Sequence, residues 1–109
     1  MIMAQVYLLN APVITCYGDY RFEGPVSIGF VKEYLAPGFE SAIGHQATAD
    51  LLSEMLGMDV PMHRQTIRMQ PEDSAIVMRT LVRIPEAKVL DKAALAEIPV
   101  ELGLLTRLG

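Results

Sequence analysis

One cysteine, no tryptophan and only two histidines occur among the 109 residues, and each shortage removes a class of protein from consideration. Cys16 has no second thiol in the chain, so an internal disulfide framework is excluded and the residue is expected to act as a small packed hydrophobe. His45 and His63 lie far apart, and with a single cysteine they offer no spacing that would build a zinc site. No apolar run approaches the roughly 20 residues that span a bilayer, and Met1-Ile2-Met3-Ala4-Gln5 lacks the basic start of a signal peptide. These absences predict a soluble, unprocessed, cytoplasmic chain with no membrane partner. Positive charge is also scarce: nine Lys and Arg against thirteen Asp and Glu give a net charge of −4, which argues against a protein that coats duplex nucleic acid.

What is present points to a packed domain with one local basic site. Apolar residues make up 51% of the chain, enough for a core, and the length predicts a single domain over residues 1–109 that an oligomer interface would help to stabilise. Arg64, Arg68, Arg79, Arg83 and Lys88 cluster in one stretch that holds only Glu72, Asp73 and Glu86 as acids. A basic patch on an acidic protein suits a compact anionic ligand. Arg68 is expected to be solvated, His63 to lie at the surface, and Tyr17 and Tyr20 to pack in a strand.

Periodicity divides the chain into alternating strands and helices. Gln5 to Thr15 reads as a strand bent at Asn10-Ala11-Pro12, and Tyr17 to Phe22 as a short second strand closed by Gly24-Pro25. Ser27 is an N-cap for a helix carrying Ile28, Val31 and Leu35, ended by Pro37-Gly38. Phe39 to Ile43 follows as a short buried strand. After His45, Thr48, Leu51, Leu52, Met55 and Leu56 fall at helical spacing, and Gly57 supplies the stop. Residues 64–69 and 74–84 read as a hairpin around Gln70-Pro71-Glu72-Asp73, and Asp91 caps a last short helix. The apolar tail Val100 to Leu108 is expected as an edge strand or a subunit contact. The fold class is therefore α/β: a mixed sheet flanked by helices.

Two constellations carry chemistry. Ala42-Ile43-Gly44-His45 places an imidazole at a helix N-terminus, where free backbone N–H groups attract anions. In the expected hairpin Arg64 stands opposite Arg79 with Arg68 and Arg83 on the same face, a repulsive arrangement that an anion would relieve. Glu86 follows Arg83 at the mouth of the same strand.

At these residues the chain resembles the viral ring nucleases that act as type III anti-CRISPR proteins, together with the CRISPR-associated ring nucleases. The matching segments are Val6-Tyr7-Leu8-Leu9-Asn10, Ser41-Ala42-Ile43-Gly44-His45-Gln46-Ala47-Thr48 and Arg83-Ile84-Pro85-Glu86-Ala87-Lys88-Val89-Leu90, and the similarity runs over nearly the whole chain. The resemblance implies a homodimer that binds cyclic tetra-adenylate across its subunits and cleaves the ring with no metal or cofactor. It implies His45 as general acid with Glu86 beside it and Arg83 and Arg64 as phosphate-binding cations. Asn10 and Gly44 become ligand contacts. Arg79 stands where a relative has glutamine, and a cation there also suits a phosphate. Two other readings stay open: a domain that binds a cyclic oligonucleotide without cleaving it, and a structural protein that assembles through its apolar tail.

Overall fold

The computed structural model describes residues 4–12, 14–81 and 99–109. Its elements run β1 (Val6–Leu9), β2 (Tyr20–Glu23), α1 (Ile28–Leu35), β3 (Glu40–Ser41), α2 (Gln46–Leu56), β4 (Ser74–Thr80) and β5 (Val100–Arg107). The strands form one mixed sheet in the order β2-β5-β4-β1-β3. β1 runs parallel to both β3 and β4, whereas β5 is antiparallel to β4 and β2. This is the α/β class that the alternation of elements predicts.

Local signals set the helices where the sequence places them. The Ser27 hydroxyl accepts the Phe30 N–H at 3.1 Å and starts α1. Gly57, at φ 62°, ends α2 in the left-handed conformation that a side chain would resist. Val31 and Leu35 of α1 and Ala49, Leu52 and Leu56 of α2 bury against Leu8, Ile43, Ile76, Met78 and Leu102 on one face of the sheet. The other face carries Tyr7, Leu9, Ala75, Val77 and Leu105, and Ile67 and Met69 cover it.

That cover is where the structure departs from expectation. Residues 61–70 contain no strand, so there is no hairpin: they form an extended strap across the sheet. β4 instead takes β1 on one side and β5 on the other. The physical reason is burial. Five consecutive buried residues, Ser74 to Met78, need neighbours on both edges and both faces, which only a central strand has. Arg79 therefore faces Glu101 across β4 and β5, with Nη2 3.5 Å from Oε1, and the expected Arg64–Arg79 pairing does not exist. The apolar tail is likewise not an edge: β5 lies inside the sheet between β2 and β4. β1 stops at Leu9, short of Thr15, and Tyr17 lies in the following loop, fully exposed and packed in no strand. Of the methionines, Met69 and Met78 are core, while Met62 is exposed. Arg83, Glu86 and the helix expected after Asp91 lie outside the described residues.

The turn before β4 holds a left-handed residue that is not glycine. The Asp73 N–H closes the turn on the Gln70 carbonyl at 3.0 Å, and Glu72, third in the turn behind Pro71, sits at φ 77°. That is the position a type II turn reserves for glycine. Glu72→Gly is expected to raise stability by roughly 0.5–1 kcal/mol, because relief of the left-handed strain outweighs the added freedom of the unfolded chain. A urea midpoint that falls in the variant would contradict this account of the turn.

Candidate functional site

Three parallel strands, β3, β1 and β4, deliver their carboxyl ends to one edge of the sheet. From β1 the chain crosses to β2 at the far end of the sheet, returns through α1 to β3 on the other side of β1, and is carried by α2 back to β4. The loops that follow the carboxyl ends of parallel strands line the crevices in which ligands of open α/β sheets bind. A cleft of about 290 Å³ occupies that place, walled by Asn10, Ala11 and Pro12 after β1 and by Arg79, Thr80 and Leu81 at the end of β4. A second cleft of about 150 Å³ lies between Leu9, Asn10 and Ala11 and the strap residues Gln65, Thr66 and Ile67. Asn10 lines both.

His45 is the N-cap of α2, in extended conformation at φ −135° and ψ 131°. Its carbonyl accepts the Ala49 N–H at 3.1 Å, so the helix begins immediately after it. Its side chain makes no capping hydrogen bond and is exposed. The imidazole is thus held at the mouth of the helix without being spent on closing it. The helix's first-turn N–H groups and its dipole add a positive field at the same spot.

Arg64 lies over this point. A Cβ placed on Gly44 would sit 3.6 Å from Arg64 Cγ and 3.7 Å from Nε, so the arginine stem packs across the Gly44 backbone and carries its guanidinium beside the helix start. The strap that bears Arg64 is tied down on both sides. The His63 N–H donates to the Ile43 carbonyl at 2.9 Å, and Gln65 Nε2 donates to the Ser41 carbonyl at 2.8 Å and to Glu40 Oε1 at 3.2 Å. The Thr15 hydroxyl adds a bond to the Ile67 carbonyl. His63 itself is exposed, with Nδ1 3.2 Å from Gln65 Nε2.

The structure therefore gathers Asn10, Gly44, His45, Arg64 and Arg79 at one edge. It splits the two arginines between a strap and a strand, in place of the pairing a hairpin would give. Arg79 also carries an acidic partner, Glu101, which partly offsets its charge toward a ligand. Gln65, Thr66 and Thr80 line the clefts, and no pattern in the sequence marks them, because the first two are placed by the strap and the third by the position of β4 beside β1. Tyr7, beneath the strap, has its phenol raised above the ordinary value by burial, then by the charges of Asp73 and Glu40, so it stays protonated near neutral pH. Among the described residues no cluster of three or more His, Cys, Asp or Glu is placed to hold a metal ion, and no helix is long and apolar enough to cross a membrane.

The sequence and the fold have known relatives. The chain is 32% identical over 107 residues to the uncharacterized protein YddF of Bacillus subtilis, covering 95% of this chain and 98% of that one. Over 52 residues it is 44% identical to the uncharacterized protein ORF117 of Acidianus two-tailed virus, covering 48% of this chain and 44% of the viral one. Among solved structures, B116 of Sulfolobus turreted icosahedral virus shares the fold with a TM-score of 0.68 at 18% identity, over 94% of this chain and 98% of that one. The model of the STIV B116-like family matches residues 6–102, and the chain belongs to that family.

Proposed function

We propose that this protein is a ring nuclease: it linearises cyclic tetra-adenylate, the second messenger of type III CRISPR defence, and so switches off the ancillary effectors that the messenger activates. The observation that carries the reading is the junction of Gly44, His45 and Arg64. It sets an uncommitted imidazole, a helix N-terminus and a guanidinium against one solvent-open edge. The sequence resemblance at Ile43-Gly44-His45 and over Arg83 to Leu90 supports the same assignment.

The chemistry asks little more of the protein. An RNA-like phosphodiester carries its own nucleophile, so the 2′-hydroxyl attacks the adjacent phosphorus and the 5′-oxygen of the next nucleotide leaves. The products are a 2′,3′-cyclic phosphate and a 5′-hydroxyl. Two such cuts turn the tetranucleotide ring into two linear di-adenylates. The protein must hold sugar and phosphate in line, offset charge on the phosphate oxygens and protonate the departing oxygen. His45 supplies the proton and Arg64 positive charge, and the resemblance assigns Arg83 as a second cation and Glu86 as the partner of the histidine. Asn10 and Arg79 flank the crevice through which the ring would extend. One chain offers one His45, whereas the ring repeats its phosphate four-fold. A two-fold homodimer that shares the ring between two such edges matches that symmetry.

Because the nucleophile belongs to the substrate, cleavage is expected to persist in EDTA and to yield di-adenylate with a 2′,3′-cyclic phosphate. Loss of turnover on chelation, with recovery on adding a divalent ion, would overturn the mechanism. Tight binding of the ring with no product would leave a binding module in its place.

A further inference from the structure

Arg79 belongs to the walls of two clefts of opposite character. On the β5 side a cleft of about 220 Å³ is bounded by Phe22, Glu23, Arg79, Glu101 and Gly103, two of them acids. On the β1 side lies the crevice of about 290 Å³, where the residues that join Arg79 in the wall, Asn10, Ala11, Pro12, Thr80 and Leu81, carry no charge.

The hold of the acidic side on this cation is loose. Arg79 Nη2 lies 3.5 Å from Glu101 Oε1, beyond the roughly 2.7–2.9 Å of a charge-assisted hydrogen bond, and the two side chains are 49% and 30% exposed. Among the described residues the Arg79 side chain has no other ionic or hydrogen-bonding partner. Arg107 shows what a structural arginine looks like in this fold: its guanidinium donates to the carbonyls of Gly109, Met69 and Tyr17. Arg79 spends no N–H group on a carbonyl, so its charge is free to be redirected.

Spacing says which phosphate such a charge would serve. β1 separates β4 from β3, so the ends of those two strands stand two strand spacings apart, about 10 Å. His45 and Arg64 gather beyond the end of β3, and Arg79 lies near the end of β4. The phosphate that meets Arg79 is therefore a different one of the ring from the one being cut. A cation at that distance attracts substrate and transition state alike, which alters how tightly the ring is held and not how fast it is cut.

Resting on the ring-nuclease reading above, we propose that Glu101 regulates this site by competing with the ring for Arg79. In the free protein the carboxylate holds the guanidinium toward β5. When a ring enters the crevice, a change of Arg79 rotamer carries the charge to a phosphate and leaves Glu101 to water. When the linear products depart, the pair re-forms. Each contact between Arg79 and a phosphate is made at the expense of an ion pair, so the site grips its ligand less tightly than an unpaired arginine would and releases its products more readily. Glu101 touches neither the substrate nor the reacting atoms; it is a positioning residue for Arg79.

A cyclic tetra-adenylate built on 2′-deoxyriboses lacks the nucleophile and is held without being cut, so its binding isotherm reads affinity alone. Glu101→Gln, which keeps the shape and removes the charge, is expected to tighten binding roughly two- to fivefold for each Arg79 that meets the ring, the fold-change carried by one exposed ion pair. Arg79→Ala is expected to weaken it about tenfold. The double variant R79A/E101Q is expected to bind as Arg79→Ala does, because the carboxylate acts only through the arginine. With the cleavable ring, Glu101→Gln is expected to lower KM by the same factor and to leave the single-turnover rate at saturation unchanged, a split that the loss of a merely structural contact does not produce. Unchanged affinity in Glu101→Gln, or an equal gain when Arg79 is absent, would overturn the proposal while leaving the ring-nuclease reading in place. A parent chain that does not bind the ring at all would remove both.

Discussion

Replacing His45 with alanine is expected to slow single-turnover cleavage of cyclic tetra-adenylate by at least about 10²-fold while leaving affinity for the ring within a few-fold. The asymmetry comes from the geometry. The imidazole is exposed and makes no capping bond, so its removal neither frays α2 nor opens the core. Ground-state attraction for the phosphates comes from the arginines and the helix start, whereas the imidazole is called on in the transition state, where its protonated form gives up a proton to the leaving 5′-oxygen. Arg64→Ala is expected to behave differently and lower affinity and rate together, since a guanidinium beside the helix start acts on the charge of substrate and transition state alike. A binding isotherm and a single-turnover rate for each variant separate the two roles. Equal losses in His45→Ala would make the residue a ligand contact and favour a domain that binds the ring without cutting it.

How much of this was legible in the sequence divides along a physical line. Signals that depend on a few neighbouring residues survived into the structure. Ser27 caps α1, Gly57 ends α2, and Gly44-His45 stands at a helix start, because each is decided by local backbone geometry. Strand partners were not legible. A strand's neighbours depend on which edges and faces the whole chain can bury, and residues 64–69 carry enough apolar character to suggest a hairpin with 74–84. What decided otherwise was β1, four residues parallel to β4, together with the long β5 on its far side. Once those edges were taken, the stretch could only lie across the sheet as a strap, with Ile67 and Met69 inward. That rearrangement dissolved the expected Arg64–Arg79 pair, yet it brought Arg64 to Gly44, a contact no spacing in the sequence announces.

The same misread turn hid what holds the far end of the sheet. Asp73, which the pattern of the sequence places in a hairpin loop, is only 5% exposed, and both of its carboxylate oxygens are in use. Oδ1 accepts the Gln5 N–H at 2.8 Å, just before β1, and Oδ2 accepts the Gln70 N–H at 2.7 Å, across the turn. Its carbonyl accepts the Arg107 N–H at 2.9 Å. One side chain thus ties the start of β1 to the entry of β4, and its main chain adds the end of β5. Asp73→Ala is expected to cost about 2–4 kcal/mol, since two charge-assisted hydrogen bonds are lost and two backbone N–H groups are left in part without acceptors. Asp73→Asn, which keeps one acceptor oxygen, should recover roughly half of that. Arg79→Ala is the control: its surface pair with Glu101 is worth no more than about 1 kcal/mol. Urea denaturation of the three variants at neutral pH measures the order, with an unchanged slope showing that the native state alone has been altered. If Asp73→Ala proved no more costly than Arg79→Ala, the clamp would be dispensable, and packing of β4 between β1 and β5 would hold this end of the sheet unaided.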